Sequence, residues 1–318
     1  MNIMKPVLTP PEAIECLHTL NSGSWDQILN PRQITLKQGE CSIQSSGGEG
    51  VRYSISDWAK SQLLSRLGIP VIYYERCPVV LQELQYSYWR DQLSARNTKF
   101  LVRGRGNLIR GILSSRYSII NDFTLIEAVE PLFVEGMVIT FFEVTDNSFH
   151  LRLVSPRPVE ESGHQDPLYC GVHVSNSEVG YRPVSIDSIV YREVCSNGLI
   201  RLHDQTNILR RRHIGTTPAD FAYQVLQAAR SAICLAEDTA ESFLRSKYRP
   251  ILNTVERVQY LGKKWELSKT FQQSIIDQIS GEAYPETEYA LINAITSVAQ
   301  DLEPDNRYRM ESLAGSLL

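Results

Sequence analysis

Apolar residues recur at helical spacing in some stretches of the chain and alternate with polar ones in others, and the two periods divide it into elements. Ile14, Leu17 and Leu20 form a stripe behind Thr9-Pro10-Pro11-Glu12, where Thr9 caps, Pro10 suits the first helical position and Glu12 reaches back as in a capping box. "QITLKQGECSIQ" reads as two short strands, and "SSGGEG" at 45–50 reads as a flexible loop. Ala59, Leu63 and Leu67 follow Ser56-Asp57 at four-residue spacing, and Gly68 and Pro70 end that helix. A further helix starts at Pro78, with Leu81, Leu84 and Tyr88 on one face. From Lys99 the period shortens: "KFLVRG" and "LIRGIL" flank Arg105-Gly106-Asn107 and predict a β-hairpin. A helix over 122–134 follows, then strands near 137–146, 149–155 and 168–174, with Asp146-Asn147 as a turn. Ile186, Ile189, Val190 and Val194 fall at i, i+3, i+4 and i+8, which predicts a short helix capped by Ser185 and ended by Asn197-Gly198. "SNG" also fits a hairpin turn, the rival structural reading. Beyond residue 215, Thr217 caps a long helix whose apolar face runs through Phe221, Val225, Ala228, Ala232, Leu235 and Phe243, with more helices near 264–279 and 286–301.

The fold class this implies is α+β: a mostly antiparallel central sheet with a β-hairpin, then a helical C-terminal third. Three regions are expected: 1–50 with a helix and short strands, an α+β core over 51–215, and a helical part over 216–318 packed on that core. At 318 residues the chain can bury a full core. Its apolar runs fall far short of the ~20 residues needed to cross a bilayer. No leader pattern opens it, so a cytoplasmic location is expected and no membrane. The six cysteines form no CxxC pair and no histidines stand at metal spacing, so neither a metal nor a cofactor is expected.

Two constellations carry candidate chemistry. Between Gln92 and Asn121 stand Arg96, Lys99, Arg103, Arg105, Arg110 and Arg116 with no acid among them. Alternation along a strand puts Lys99 and Arg103 on one face, Arg110 joins them across the hairpin, and Arg105 sits at the tip. Fixed positive charge of this kind suits phosphates, and Tyr117 beside Arg116 suits base stacking. Arg210, Arg211 and Arg212 extend the same surface. With a net charge of -4, any such surface is local.

The second constellation is Asn176, Glu178, Arg192, Cys195, Asn197 and Gly198. It has two readings: a thiol nucleophile at Cys195 with His173 or His203 as base and Glu178 as orienting acid, or a polar clasp in which Cys195 is a buried small group and Arg192 meets Glu178. The apolar spacing favours the clasp.

Several segments, taken in order, resemble the phage- and plasmid-associated family known as domain of unknown function 932. They are "WAKSQLLSRLGIPVIYY", "LVRGRGNLIRGILSSRY", "NSEVGYRP" and "YREVCSNGLI", with "INAIT" and "AGSLL" near the end. The resemblance spans roughly residues 50–318. It implies a mobile-element setting and DNA metabolism, and no catalytic residues. The expected function is therefore a non-enzymatic protein that binds single-stranded DNA in replication or recombination, as a possible homo-oligomer. The alternatives are a structural or protein-interaction component of a mobile element and, behind it, an enzyme using Cys195 or Glu178.

Overall fold

The computed structural model describes residues 7–37, 39–44, 50–159, 167–192, 197–201, 209–215, 217–282 and 284–318. Helix α1 (Pro10–Ser22) starts as its sequence dictates: the Glu12 carboxylate accepts from the Thr9 amide at 2.8 Å and from its hydroxyl at 2.7 Å. The strands β1 (Ser24–Leu29), β2 (Ile34–Lys37), β3 (Glu40–Ile43), β4 (Val51–Ile55), β5 (Phe100–Arg105) and β6 (Leu108–Ser114) form one six-stranded sheet in the order β1-β5-β6-β4-β3-β2. All its pairs are antiparallel except β4 with β6. The expected hairpin is β5–β6, turned at Gly106 with φ of 54°.

Three helices accompany this sheet: α2 (Asp57–Arg66), α3 (Val71–Arg76) and α4 (Val79–Ser94). Ser56 caps α2 through the Ala59 amide, and Gly68 takes φ of 75° just past its end. Leu63, Leu64 and Tyr86 meet Ile34, Leu36, Phe100, Val102, Ile109 and Ile112 in one core. The α4 face that buries is that of Tyr86, whose hydroxyl donates to the Ile34 carbonyl at 2.8 Å; Leu81, Leu84 and Tyr88 are exposed.

A second sheet follows helix α5 (Asp122–Val134). It holds β7 (Val138–Val144), β8 (Phe149–Pro158), β9 (Leu168–Asn176), β10 (Val184–Arg192), β11 (Asn197–Arg201) and the short β12 (Arg210–Arg211). The order is β11-β10-β9-β8-β7, with β12 also pairing β10, all antiparallel. The helix expected around Ile186 is therefore strand β10. The reason is burial on both faces: Ile186 and Val190 point to one side, Ile189 to the other, and all three are covered. With buried apolar residues on both faces, set among the equally buried Ser185, Asp187 and Ser188, the apolar–polar alternation that identifies a strand is broken. Strand β10 pairs antiparallel with β11, which Asn197-Gly198 begin, and residues 193–196 between them lie outside the described residues. A side chain at Gly198 would come within 2.6 Å of Ile189 and 3.0 Å of the Arg152 guanidinium, so glycine serves there for close approach rather than as a helix end.

The two faces of the second sheet differ. Phe149, Leu151, Leu153, Val172, Val174 and Ile186 pack against α5, α1 and the first half of α6 (Phe221–Arg245). The second half of α6 joins α7 (Thr254–Lys264), α8 (Lys269–Ile279), α9 (Glu288–Val298) and α10 (Pro304–Gly315) in another core through Ala236, Ala240 and Phe243. Asp220, whose side chain caps no backbone amide, stands just before α6; the Thr217 hydroxyl lies 2.6 Å from that of Ser118 instead of capping the helix. The opposite sheet face carries His150, Arg152, His173 and Asp187, which strand alternation and register place side by side. Asp305, Tyr308 and Glu311 of α10 cover them. Among the described residues no helix is long and apolar enough to cross a membrane.

Candidate nucleic-acid interface

The hairpin arginines are not a surface. Arg103 and Arg110 are 6% and 4% exposed. Arg103 donates from Nε and Nη2 to the two Asp26 carboxylate oxygens at 2.7 and 3.2 Å, from Nη2 to Asn121 at 2.8 Å, and from Nη1 to the Glu178 carbonyl at 2.9 Å. Arg110 donates to the Glu178 carboxylate at 2.9 Å and to the Asp146 carbonyl. Arg105, partly buried, lies 3.8 Å from the same carboxylate. The charged residues that alternation puts on one strand face meet Asp26 of β1 and the Asn176–Gly180 loop, and a buried guanidinium persists only with such partners.

Asn176 and Glu178 of the expected clasp thus share one network with the basic hairpin. Glu178 also accepts from the Asp122 amide at 3.2 Å, and Asn176 donates to the Ile120 carbonyl at 3.0 Å and to Asp122 at 2.7 Å. Burial and the neighbouring Glu178 charge push the Asp122 carboxyl up to about 8. Burial would raise Glu178 as well, but Arg110 beside it outweighs burial and holds it below its ordinary value. Arg192 does not reach Glu178; it pairs with Glu282 at 3.4 Å. Cys195 and His203 lie outside the described residues, as does the side chain of Asn197.

His173 belongs to a different cluster from Glu178. Arg152 Nε donates to His173 Nδ1 at 3.1 Å, which places the His173 proton on Nε2, facing His150 Nδ1 at 3.1 Å. His150 Nε2 lies 3.3 Å from Asp305 Oδ1 and 2.9 Å from Arg182 Nη1. Arg152 also forms a doubly hydrogen-bonded pair with Glu311, both fully buried, and Tyr308 donates to Asp187 at 2.8 Å. Burial holds both imidazoles neutral, His150 down to about 4 and His173 well below its ordinary value. Of the acid–base–thiol reading, Glu178 and His173 stand in separate clusters, and its other members, Cys195 and His203, lie outside the described residues.

The unpaired positive charge gathers where four segments meet. These are the end of α2, the 114–117 segment after β6, the Gly180–Pro183 loop and the 212–215 segment after β12, and they line a cleft of about 1020 Å³. Arg116 and Tyr117 and Arg212 of the expected residues are here, joined by Arg66, Tyr181 and Arg182. Among the described residues no carboxylate lines the cleft. Arg182 pairs with Asp305 at 2.9 Å, whereas Arg66, Arg116 and Arg212 are exposed and have no acid within ion-pair distance among the described residues. Lys99 is exposed outside the cleft, and Arg210 and Arg211 form β12, with the Arg211 guanidinium over the Phe221 ring.

The cleft walls are zipped together. Tyr117 pairs with Ile214 as an isolated bridge, and its ring stacks on His213 at 4.8 Å and 4°. His213 Nδ1 donates to the Ser118 carbonyl at 3.1 Å, and burial lowers this imidazole to about 4. The Tyr117 hydroxyl donates to the Ser177 carbonyl at 2.9 Å. Arg66, Tyr181 and Arg182 were legible only as members of "WAKSQLLSRL" and "GYRP"; nothing local marks them as neighbours of Arg116.

No protein-family model, curated protein or solved structure matches this chain.

Proposed function

We propose that this protein is a non-enzymatic binder of single-stranded nucleic acid, single-stranded DNA first, and that the arginine cleft holds the sugar-phosphate backbone. The observation that carries the reading is a set of three arginines, Arg66, Arg116 and Arg212, that have no acid partner among the described residues and stand in a cleft that no described carboxylate lines. Arg66 donates from Nε to the Ile112 carbonyl at 2.9 Å, but a guanidinium that no carboxylate neutralises keeps its charge for phosphate, whose oxygens its planar fork suits. The resemblance to the mobile-element family fits the same reading and adds a role in replication or recombination, in the cytoplasm of a bacterial host, with the chain as a homo-oligomer. A second reading, a protein-interaction component, is favoured by the exposed apolar residues Ile72, Val80, Leu84 and Tyr88 of α3 and α4.

The test is anisotropy of a labelled DNA oligonucleotide across a salt series. Log affinity is expected to fall linearly with log salt, and each of Arg66→Gln, Arg116→Gln and Arg212→Gln to flatten the slope by about 0.7. Arg103 and Arg110 are unsuitable for this test, because both are themselves buried and replacing Arg110 strands the buried Glu178 carboxylate. Absence of binding at low salt would overturn the reading in favour of the interaction component.

A further inference from the structure

We propose that Tyr181 is the platform on which an unpaired nucleobase stacks, making the cleft selective for single strands. This rests on the reading of the cleft as a nucleic-acid interface and adds to it the part of the ligand that is not phosphate. Tyr181 is 44% exposed and lines the cleft. Its ring is braced at the edge by Trp58, with centroids 4.9 Å apart and planes at 78°. Trp58 is itself held: its indole N–H donates to the Val179 carbonyl at 3.0 Å, and Gln62 donates to the same oxygen at 2.8 Å. The Tyr181 amide donates to Ser177 Oγ at 2.9 Å, and Gly180 before it takes φ of 74°, a turn that only glycine makes without strain. An aromatic ring fixed before the ligand arrives loses little freedom on binding.

Tyr117, the sequence candidate for stacking, is spent otherwise. One face of its ring lies flat on His213 and its hydroxyl is hydrogen-bonded. Among the described residues no ring lies flat on Tyr181 and no acid pairs with Arg66 or Arg116 in the same cleft. A duplex keeps its base faces stacked inside, so only an unpaired base can use the ring, and every base has such a face.

The experiment uses the full chain and four probes of equal length and salt: a thymidine DNA oligonucleotide, its uridine RNA counterpart, an abasic DNA strand with the same phosphates, and a DNA duplex. The wild type is expected to bind both base-bearing single strands alike and the abasic strand about 5- to 150-fold more weakly. Tyr181→Leu should lower affinity for the thymidine strand to that of the abasic one without changing the salt slope, and Tyr181→Phe should retain it. If the wild type binds the abasic and thymidine strands equally, with a normal salt slope, the stacking proposal is overturned while the backbone reading stands; that comparison needs no variant to fold. Preference for the duplex overturns it as well. If the wild type binds no strand at all, the nucleic-acid reading itself falls.

Discussion

Asp122 and Glu178 share one buried network yet titrate in opposite directions, and this has a measurable consequence at the level of single residues. Asp122 is raised to about 8 from an ordinary 3.8, so the stability it contributes is present in acid and is lost as pH rises towards 8. Glu178 is lowered, so its contribution is present above 4.5 and is lost as pH falls. His150 and His213 are both lowered to about 4 and lose their contribution only below 6.5, while Asp187, raised to about 6, has lost its own by then. The window from pH 6.5 to 8 therefore reports Asp122. Urea midpoints are expected to fall across that window in the wild type and to be flat in Asp122→Asn, whose amide stays neutral while its oxygen still accepts from Asn176. A slope that survives in the variant would place the titration elsewhere.

Helix α10 shows what an element does when it docks through polar residues. Asp305, Tyr308 and Glu311 stand three apart on one face and meet Arg182, Asp187 and Arg152. Gly315 lets the end of the helix close on β11: a Cβ there would sit 2.1 Å from the Ile200 carbonyl. Removing one member of a buried ion pair leaves the other desolvated and unpaired, at a cost of about 3–5 kcal/mol. Glu311→Gln and Arg152→Met are each expected to lose that much in chemical denaturation. Arg152→Met with Glu311→Leu together should lose less than the sum of the two single changes, because the buried pair is removed as a unit and Arg307, which also donates to Glu311 at 3.1 Å, is the charged group left without it. Single changes that cost under about 1 kcal/mol would mean that the pair is hydrated.

Over the whole molecule, α6 belongs to two cores at once: Phe221, Val225 and Ala229 pack on the second sheet, Ala236, Ala240 and Phe243 on the C-terminal helices. A fragment over 217–318 would expose the first set, each large side chain forfeiting roughly 1.5–3 kcal/mol of burial. It is expected to unfold without a cooperative urea transition; a sharp transition in the isolated fragment would show that the helical part stands alone. The caps at Thr9 and Ser56, the glycine turn at 106, the β5–β6 hairpin and the apolar stripe of α6 were all legible along the chain. Each is a property of neighbours within a few residues, where sterics and hydrogen bonding act locally. Strand β10 was not, because burial on both faces erases the alternation that would mark it. Nor could sequence tell which arginines stay available. Arg103 finds Asp26 across 77 positions and Arg110 finds Glu178 across 68, while Arg116, six residues beyond Arg110, meets no acid among the described residues. A charge is neutralised only within a few ångströms, and the pairing of β1 with β5 and the approach of the Asn176–Gly180 loop decide which carboxylates come that close.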